Sequence, residues 1–163
     1  DLTQIGEVQV DSRIAENTRQ FLAAAQAIAP EETLISGYRS RAEQEELYNE
    51  KVAGEVAKGL SNEEAVSIVL KQVQLPGASE HQTGLAIDMS APEGQEDELA
   101  AKIAQLAPQY GFVLRYPDGK SDITGVDFEN WHYRYVGVEN AQYMQKHNLV
   151  LEEYIALLKA AGK

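Results

Sequence analysis

The sequence contains the stretch GLAIDM at residues 84–89, in which apolar and polar side chains alternate. Leu85, Ile87 and Met89 share one parity, so they lie on the same face of a strand. Asp88 projects from the opposite face. A carboxylate within an apolar strand is costly unless it is paired or coordinated. The stretch therefore predicts a strand of a sheet that carries one paired or coordinating acid.

Helical and strand patterns alternate irregularly on both sides of this strand. Further strands are predicted at residues 33–36, 112–115 and 131–136. Helices are predicted at residues 11–29, 40–57, 61–73, 96–110, 139–147 and 151–161. A serine with a glutamate three positions later marks the helix starts at Ser40 and Ser61. The irregular order predicts an α+β fold rather than a parallel array of βαβ units.

The length of 163 residues predicts a single domain over residues 1–163. A chain of this size buries about two-thirds of its unfolded surface, so it needs no covalent staple to fold. Residues 1–12 carry little pattern, and we expect this N-terminal segment to run over the surface. No stretch approaches the roughly 18 consecutive apolar residues that a membrane span requires, so no transmembrane segment is predicted.

The composition is strongly acidic, with 26 Asp and Glu against 14 Lys and Arg and a net charge of −12. This charge argues against nucleic-acid binding, because a phosphate backbone would be repelled. It also disfavours electrostatic docking on anionic lipid. The absence of cysteine excludes disulfides, thiol catalysis and thiolate metal sites.

Two of the three histidines stand close in sequence to acidic residues. His81 precedes the strand described above, and His132 lies in the segment ENWHYRY at residues 129–135. His81 and Asp88 are seven positions apart and would face opposite sides of one strand. If both bind one metal, His81 must come from the loop before the strand, and Gly84 would let the chain turn. Two imidazoles and a carboxylate form an open zinc site with a fourth position for water.

Spacing alone leaves other interpretations open. A strand histidine is often a hydrogen-bonded core or surface residue, and a strand aspartate often caps or pairs. A calcium site is disfavoured by two histidines among three ligands. His147 lies near a predicted helix C-terminus, where the helix dipole favours it, and is expected to be structural. Trp131 and Tyr133 are expected to be core residues.

Three other polar residues fit hydrolytic chemistry. Glu129 precedes His132 by three positions and can take the proton of a metal-activated water. Arg39 lies between a strand and a capped helix, where it can clamp a carboxylate or an oxyanion. Gln44 lies near the start of the same helix and can contact substrate. A surface salt bridge is the alternative for Arg39, and a solvated position is the alternative for Gln44.

Five short motifs follow one another along the chain. They are SGYRS at residues 36–40, SEHQTGLAID at 79–88, YGFVLRYP at 110–117, ITG at 123–125 and ENWHYRYVG at 129–137. Together they resemble the VanY/LdcB group of zinc D,D- and L,D-carboxypeptidases. The similarity runs from about residue 35 to the LEEY segment at 151–154, which is most of the chain.

The resemblance implies a role for each residue of the candidate metal site. It makes His81, Asp88 and His132 the ligands of one Zn²⁺ per chain. It makes Glu129 the catalytic base. The implied reaction is attack of a zinc-activated water on the terminal peptide bond of the substrate.

The resemblance also implies the substrate and the surroundings of the protein. The terminal D-alanine portion of a peptidoglycan stem peptide is bound by Arg39, Gln44 and Ser79. The implied fold is a small antiparallel sheet flanked by helices. The implied location is the bacterial cell envelope outside the cytoplasm, with the protein secreted or anchored. We expect a monomer.

Two segments favour one specificity within the group. GASEHQTGLAIDMS and APQYGFVLRYPDGK are most similar to LdcB-type enzymes, which remove the terminal D-alanine of tetrapeptide stems. We therefore expect an L,D-carboxypeptidase. The alternatives are a D,D-carboxypeptidase or dipeptidase acting on D-Ala-D-Ala ends, and a zinc-containing module that binds peptidoglycan without cleaving it.

Overall fold

The computed structural model describes residues 1–162 and has the α+β fold that the sequence predicts. In this part of the chain, two antiparallel sheets form: a hairpin of β1 and β2, and a four-stranded sheet in the order β3-β4-β6-β5. The strands span Leu2–Ile5 (β1), Val8–Asp11 (β2), Thr33–Ser36 (β3), Ala86–Ser90 (β4), Phe112–Leu114 (β5) and His132–Tyr135 (β6).

The helices flank the larger sheet. They span Ala15–Ile28 (α1), Arg41–Ala57 (α2), Asn62–Val69 (α3), Asp97–Leu106 (α4), Ser121–Thr124 (α5), Val138–Lys146 (α6) and Leu151–Ala160 (α7). Both predicted capping boxes are present, since Ser40 and Ser61 each exchange hydrogen bonds with the glutamate three positions later. Within residues 1–162, no helix combines the length and the apolar character that a membrane crossing requires.

The two faces of the larger sheet differ as the parity of β4 predicts. Ile87 and Met89 are fully buried and pack with Phe21 of α1 and Ile103 of α4. The opposite face carries Asp88, whose direct partner on β6 is His132. The core therefore occupies one face of the sheet, and the polar residues of interest share the other.

Residues 1–12 were expected to run over the surface without regular structure, but they form a hairpin. Strands β1 and β2 pair around a turn at Gly6, and Ile5, Val8 and Val10 are buried. Val8 and Val10 alternate with polar residues, and the burial of this apolar face against the core holds the hairpin in place. The expectation for this segment was wrong because so short an alternation gives a weak signal.

Tyr133 and Trp131, at the start of β6, differ in burial. Tyr133 is fully buried, as expected, and its ring lies edge-on to Phe21 with 4.9 Å between centroids. Trp131 was expected in the core, but it is 40% exposed. It precedes the strand and lines a cleft on the polar face of the sheet.

Glu32, just before β3, is an isolated acid in the core. It is 1% exposed, and neither carboxylate oxygen has a hydrogen-bond partner among residues 1–162. Burial raises the pKa of this carboxyl. The folded state therefore keeps a proton that the unfolded chain releases, so this group favours folding less as the pH rises through the interval between the two pKa values.

Compared with the unchanged protein, the Glu32→Gln variant is expected to gain more stability at pH 8 than at pH 4, because the amide has no proton to lose. At this chain length, each kcal/mol gained raises the unfolding midpoint by roughly 2–4 °C. Thermal unfolding at both pH values measures the effect, with exposed Glu31→Gln as the matched control. The same pH response in both variants would contradict the prediction.

Candidate metal centre

Three side chains from separate parts of the chain converge on the polar face of the sheet. His81 comes from a 3-10 helix at Glu80–Thr83, Asp88 from β4 and His132 from β6. One ligand atom of each lies within 4.8 Å of the other two. Asp88 Oδ1 is 3.5 Å from His81 Nε2 and 3.1 Å from His132 Nδ1. The arrangement brings together the ligand set that the family resemblance implied.

Backbone contacts fix the orientation of His81. Its Nδ1 lies 2.8 Å from the carbonyl oxygen of Gly37. Because a carbonyl only accepts, Nδ1 carries the hydrogen and Nε2 is left free to bind a metal. Gly84 ends the 3-10 helix with φ +75°, as the predicted turn between His81 and β4 requires.

The two glycines beside His81 are both packed against β2. A Cβ on Gly37 would collide with the Gln9 carbonyl. A Cβ on Gly84 would lie 2.9 Å from the backbone nitrogen of Asp11. The N-terminal hairpin therefore supports the two backbone points that hold His81.

The charges of the site favour a bound cation. Burial alone lowers the pKa of His132, but hydrogen bonds to Asp88 and Glu80 outweigh it and raise the pKa to about 9. Burial tends to raise the pKa of Asp88, yet its hydrogen bonds to His132 and His81 bring it below the usual range. Carboxylates thus create a field that attracts positive charge. Two imidazole nitrogens and one carboxylate oxygen are a typical ligand set for zinc.

Glu129 lies at the edge of the metal-ligand cluster. It is 8% exposed, and its Oε1 is 3.9 Å from His132 Nδ1. Burial, and then the nearby charges of Asp88 and Asp127, raise the pKa of Glu129 to about 7, against the opposing effect of His132. A bound divalent cation would favour the ionised form. Within residues 1–162 no hydrogen bond occupies this carboxylate, so it is available for proton transfer.

Arg39 and Gln44 form a pair on another wall of the same cleft. Arg39 Nη1 donates to Gln44 Oε1 over 2.7 Å, and Gln44 Nε2 donates to the Gln74 carbonyl over 2.6 Å. Gln44 is 1% exposed, which excludes the solvated position considered from the sequence. In the described residues Arg39 pairs with no carboxylate, so the alternative of a surface salt bridge is wrong.

The cleft has a volume of about 240 Å³ and contains all the predicted site residues. Ser79 is 6% exposed, and its hydroxyl accepts a hydrogen bond from the His81 backbone over 3.3 Å. Trp131 lines the cleft together with Lys51. The separate histidine at position 147 is exposed at the end of α6, and its ring is tilted against that of Tyr143 with 4.3 Å between centroids, in keeping with its structural assignment.

Glu80 was missed by the sequence interpretation. Its Oε1 lies 2.9 Å from His132 Nε2, and its Oε2 accepts from Arg115 and Arg134 over 3.0 Å each. It contacts the ring nitrogen of His132 that faces away from Asp88. The only local signal was its position between Ser79 and His81.

Comparisons with known proteins agree with this geometry. The family model described as VanY, D-alanyl-D-alanine carboxypeptidase, matches residues 7–138. A D-alanyl-D-alanine carboxypeptidase of Enterococcus faecalis is 39% identical over 149 residues, which cover 90% of this chain and 56% of that relative. The chain thus spans little more than half the length of this relative.

Solved structures resemble almost the whole chain. VanYB in complex with D-alanine-D-alanine has a TM-score of 0.90 and 38% identity, over 96% of this chain and 88% of that chain. A mutant of the D,D-pentapeptidase VanY with Zn(II) has a TM-score of 0.88 and 38% identity, over 95% of this chain and 89% of that chain. The LdcB LD-carboxypeptidase has a TM-score of 0.76 and 31% identity, over 94% of this chain and 72% of that chain. These matches confirm the resemblance to the VanY/LdcB group.

Proposed function

Because the chain belongs to the VanY family of D-alanyl-D-alanine carboxypeptidases, we propose that it removes the terminal D-alanine from peptidoglycan stem peptides. The observation that carries this proposal is an acid next to a metal-ligand cluster inside one cleft. Glu129 Oε1 is 3.9 Å from His132 Nδ1, and both residues line the cleft. A module that only binds peptidoglycan has no need of such an acid, so the enzyme is favoured over the binding module.

His81, Asp88 and His132 would hold the zinc ion, through Nε2, Oδ1 and Nδ1 respectively. When bound, zinc supplies a Lewis acid that polarises a carbonyl and lowers the pKa of a water molecule. Support comes from the VanY structure with Zn(II), which shares the fold at 38% identity.

Glu129 is assigned to the proton transfers of amide hydrolysis. As a carboxylate it accepts a proton from the attacking water while the carbon–oxygen bond forms. It then gives this proton to the leaving nitrogen of D-alanine as the carbon–nitrogen bond breaks. Low exposure keeps bulk water from competing for the proton.

Arg39 is assigned to the substrate rather than to the fold. The protein carries a net charge of −12, so a substrate that ends in a free carboxylate needs a local cation. Gln44 uses its carbonyl oxygen to hold one arm of the guanidinium, and the other arm has a long contact of 3.5 Å to Ser36 Oγ, so N–H donors remain for a carboxylate or an oxyanion. Ser79 lines the same cleft and is assigned to the D-alanine portion.

Replacing Arg39 with alanine is expected to lower kcat/KM by about 10²-fold or more, because a charged hydrogen bond to substrate is lost. The effect should be much smaller on a peptide whose C-terminus is amidated, if the guanidinium binds the carboxylate. Steady-state kinetics on the matched peptide pair measure both. Arg41→Ala, an exposed arginine two positions later, is the control. Unchanged kcat/KM on the free acid would refute the assignment.

The similarity to VanY enzymes favours a D-Ala-D-Ala end as the substrate. VanYB with bound D-alanine-D-alanine matches with a higher TM-score and identity than LdcB does, 0.90 and 38% against 0.76 and 31%. We therefore propose D,D-carboxypeptidase activity ahead of the L,D activity expected from the sequence. L,D cleavage is the second candidate, since LdcB matches 94% of the chain.

The test is mass spectrometry of purified muropeptides incubated with the zinc-loaded protein. Loss of one D-alanine from pentapeptide stems, with tetrapeptide stems unchanged, would establish the D,D reaction. Trimming of tetrapeptides would establish the L,D reaction. Release of D-alanine from neither substrate would refute the proposed function. Because these substrates lie outside the cytoplasm, we propose an extracytoplasmic location.

A further inference from the structure

Glu80 fixes which nitrogen of His132 faces the ligand cluster. A carboxylate accepts but does not donate, so the contact of 2.9 Å to Oε1 requires a hydrogen on His132 Nε2. Nδ1, which lies 3.1 Å from Asp88 Oδ1, is then the nitrogen that gives up its hydrogen when the ring binds a metal. A histidine must present a free nitrogen to a metal, and its second nitrogen usually donates to a carboxylate or carbonyl.

Two arginines hold Glu80 in turn. Arg115 Nε and Arg134 Nη1 both donate to Oε2, so the two carboxylate oxygens have separate tasks. The side chains of Glu80 and Arg115 are 9% and 11% exposed. Water therefore screens this pair little.

Arg115 also reaches the C-terminal helix. Its two terminal nitrogens donate to Glu152 in the first turn of α7, over 2.7 and 3.0 Å. This bidentate geometry is the strongest form of an arginine–carboxylate pair. A continuous chain of contacts thus runs from α7 through Arg115 and Glu80 to His132. Glu152 lies beyond residue 138, where the match to the family model ends.

We propose that Glu80 is a positioning residue for His132, and that Glu152 on α7 acts through Arg115 to set the metal affinity of the site. The proposal rests on the proposed function only in that this ligand set binds zinc. The charges of Glu80 and Glu152 balance those of Arg115 and Arg134, so the cluster positions the ligand without adding net charge beside the metal.

Glutamine at position 80 cannot replace the carboxylate. If its oxygen faces His132, its NH₂ group meets two guanidinium donors; if its oxygen faces the arginines, its NH₂ group meets His132 Nε2. The second orientation favours a hydrogen on Nδ1, and that nitrogen then cannot bind zinc. E80Q should therefore lower zinc affinity by about 10–100-fold, as loss of such partners typically does.

The partly exposed position of Glu152 allows a gentler test. Its side chain is 34% exposed, so E152Q should fold, and it should lower zinc affinity by about threefold or more. The matched control is Glu153→Gln. Glu153 lies in the same turn, pairs with Lys120 over 2.9 Å and is 28% exposed. Among residues 1–162, the hydrogen bonds and ion pairs of the Arg115 side chain go to Glu80 and Glu152 and not to Glu153. Both variants lose one helix-anchoring ion pair, and only E152Q breaks the link to the metal site.

The measurement is the zinc dissociation constant by competition with a chromophoric chelator, together with the visible spectrum of the Co²⁺-substituted proteins. We expect weaker zinc binding and an altered Co²⁺ spectrum for E80Q and E152Q, with E153Q matching the unchanged protein. Affinities within twofold for E80Q, or equal losses for E152Q and E153Q, would overturn the inference. If E80Q does not fold, the comparison of E152Q with E153Q decides. Failure of the unchanged protein to bind zinc would overturn the proposed function as well.

Discussion

Replacing Glu129 with glutamine is expected to lower kcat by about 10²–10⁴-fold while zinc stays bound, because positioned general acid–base groups contribute that much. Glutamine has nearly the same shape but cannot accept and return a proton. The ligand atoms of His81, Asp88 and His132 are untouched, so metal content should remain at one ion per chain. Release of D-alanine from a pentapeptide and metal analysis of the same sample measure the two effects.

A matched control for E129Q lies two residues away. Asp127→Asn removes the same charge from the same loop, but Asp127 is exposed and is not among the residues that line the cleft. D127N should retain most of the activity. Activity of E129Q within tenfold of the unchanged protein would exclude Glu129 as the base, and a similar loss in both variants would point to loop charge instead.

Replacing His81 with alanine is expected to abolish zinc binding and activity together, because two remaining ligands do not form a zinc site. A free zinc concentration a thousand times the dissociation constant stabilises the folded protein by about 4 kcal/mol. The unchanged protein should therefore unfold at a higher temperature with zinc than after chelation, and H81A should lose this difference. The zinc affinity of the unchanged protein should also decrease as the pH is lowered, since imidazole ligands must be deprotonated.

His147→Ala controls for H81A. It removes the exposed histidine at the end of α6, away from the cleft, and should leave zinc content and the zinc-dependent stability unchanged. Stoichiometric zinc in H81A after dialysis would refute the ligand assignment.

Local sequence patterns predicted most of the fold. Strand β3 and both capping boxes lie where they were predicted, because each depends on neighbouring residues. The hairpin at residues 2–11 was missed, although Gly6 followed by a two-position alternation is a turn signal. Its stability comes from burial of Ile5, Val8 and Val10 against distant parts of the chain, which no local window contains.

The same distinction applies to the candidate site, where features set by neighbouring residues were predicted and contacts between distant residues were missed. Parity along β4 correctly placed Asp88 opposite the core residues and His81 before the strand. Glu80 was missed because its partners Arg115 and Arg134 are 35 and 54 positions away. In a chain with 26 acidic residues, one more glutamate gives no signal by itself. The antiparallel pairing of β6 with both β4 and β5 brings these groups together.

The support that β2 gives to Gly37 and Gly84 has a consequence for sequence variation. Any side chain at either position would enter the backbone of a strand that is remote in sequence, and at Gly84 the positive φ adds strain. In a saturation mutagenesis experiment, these two positions should therefore tolerate as few substitutions as the metal ligands do. Two residues without side chains are thus as constrained as the residues that carry the chemistry.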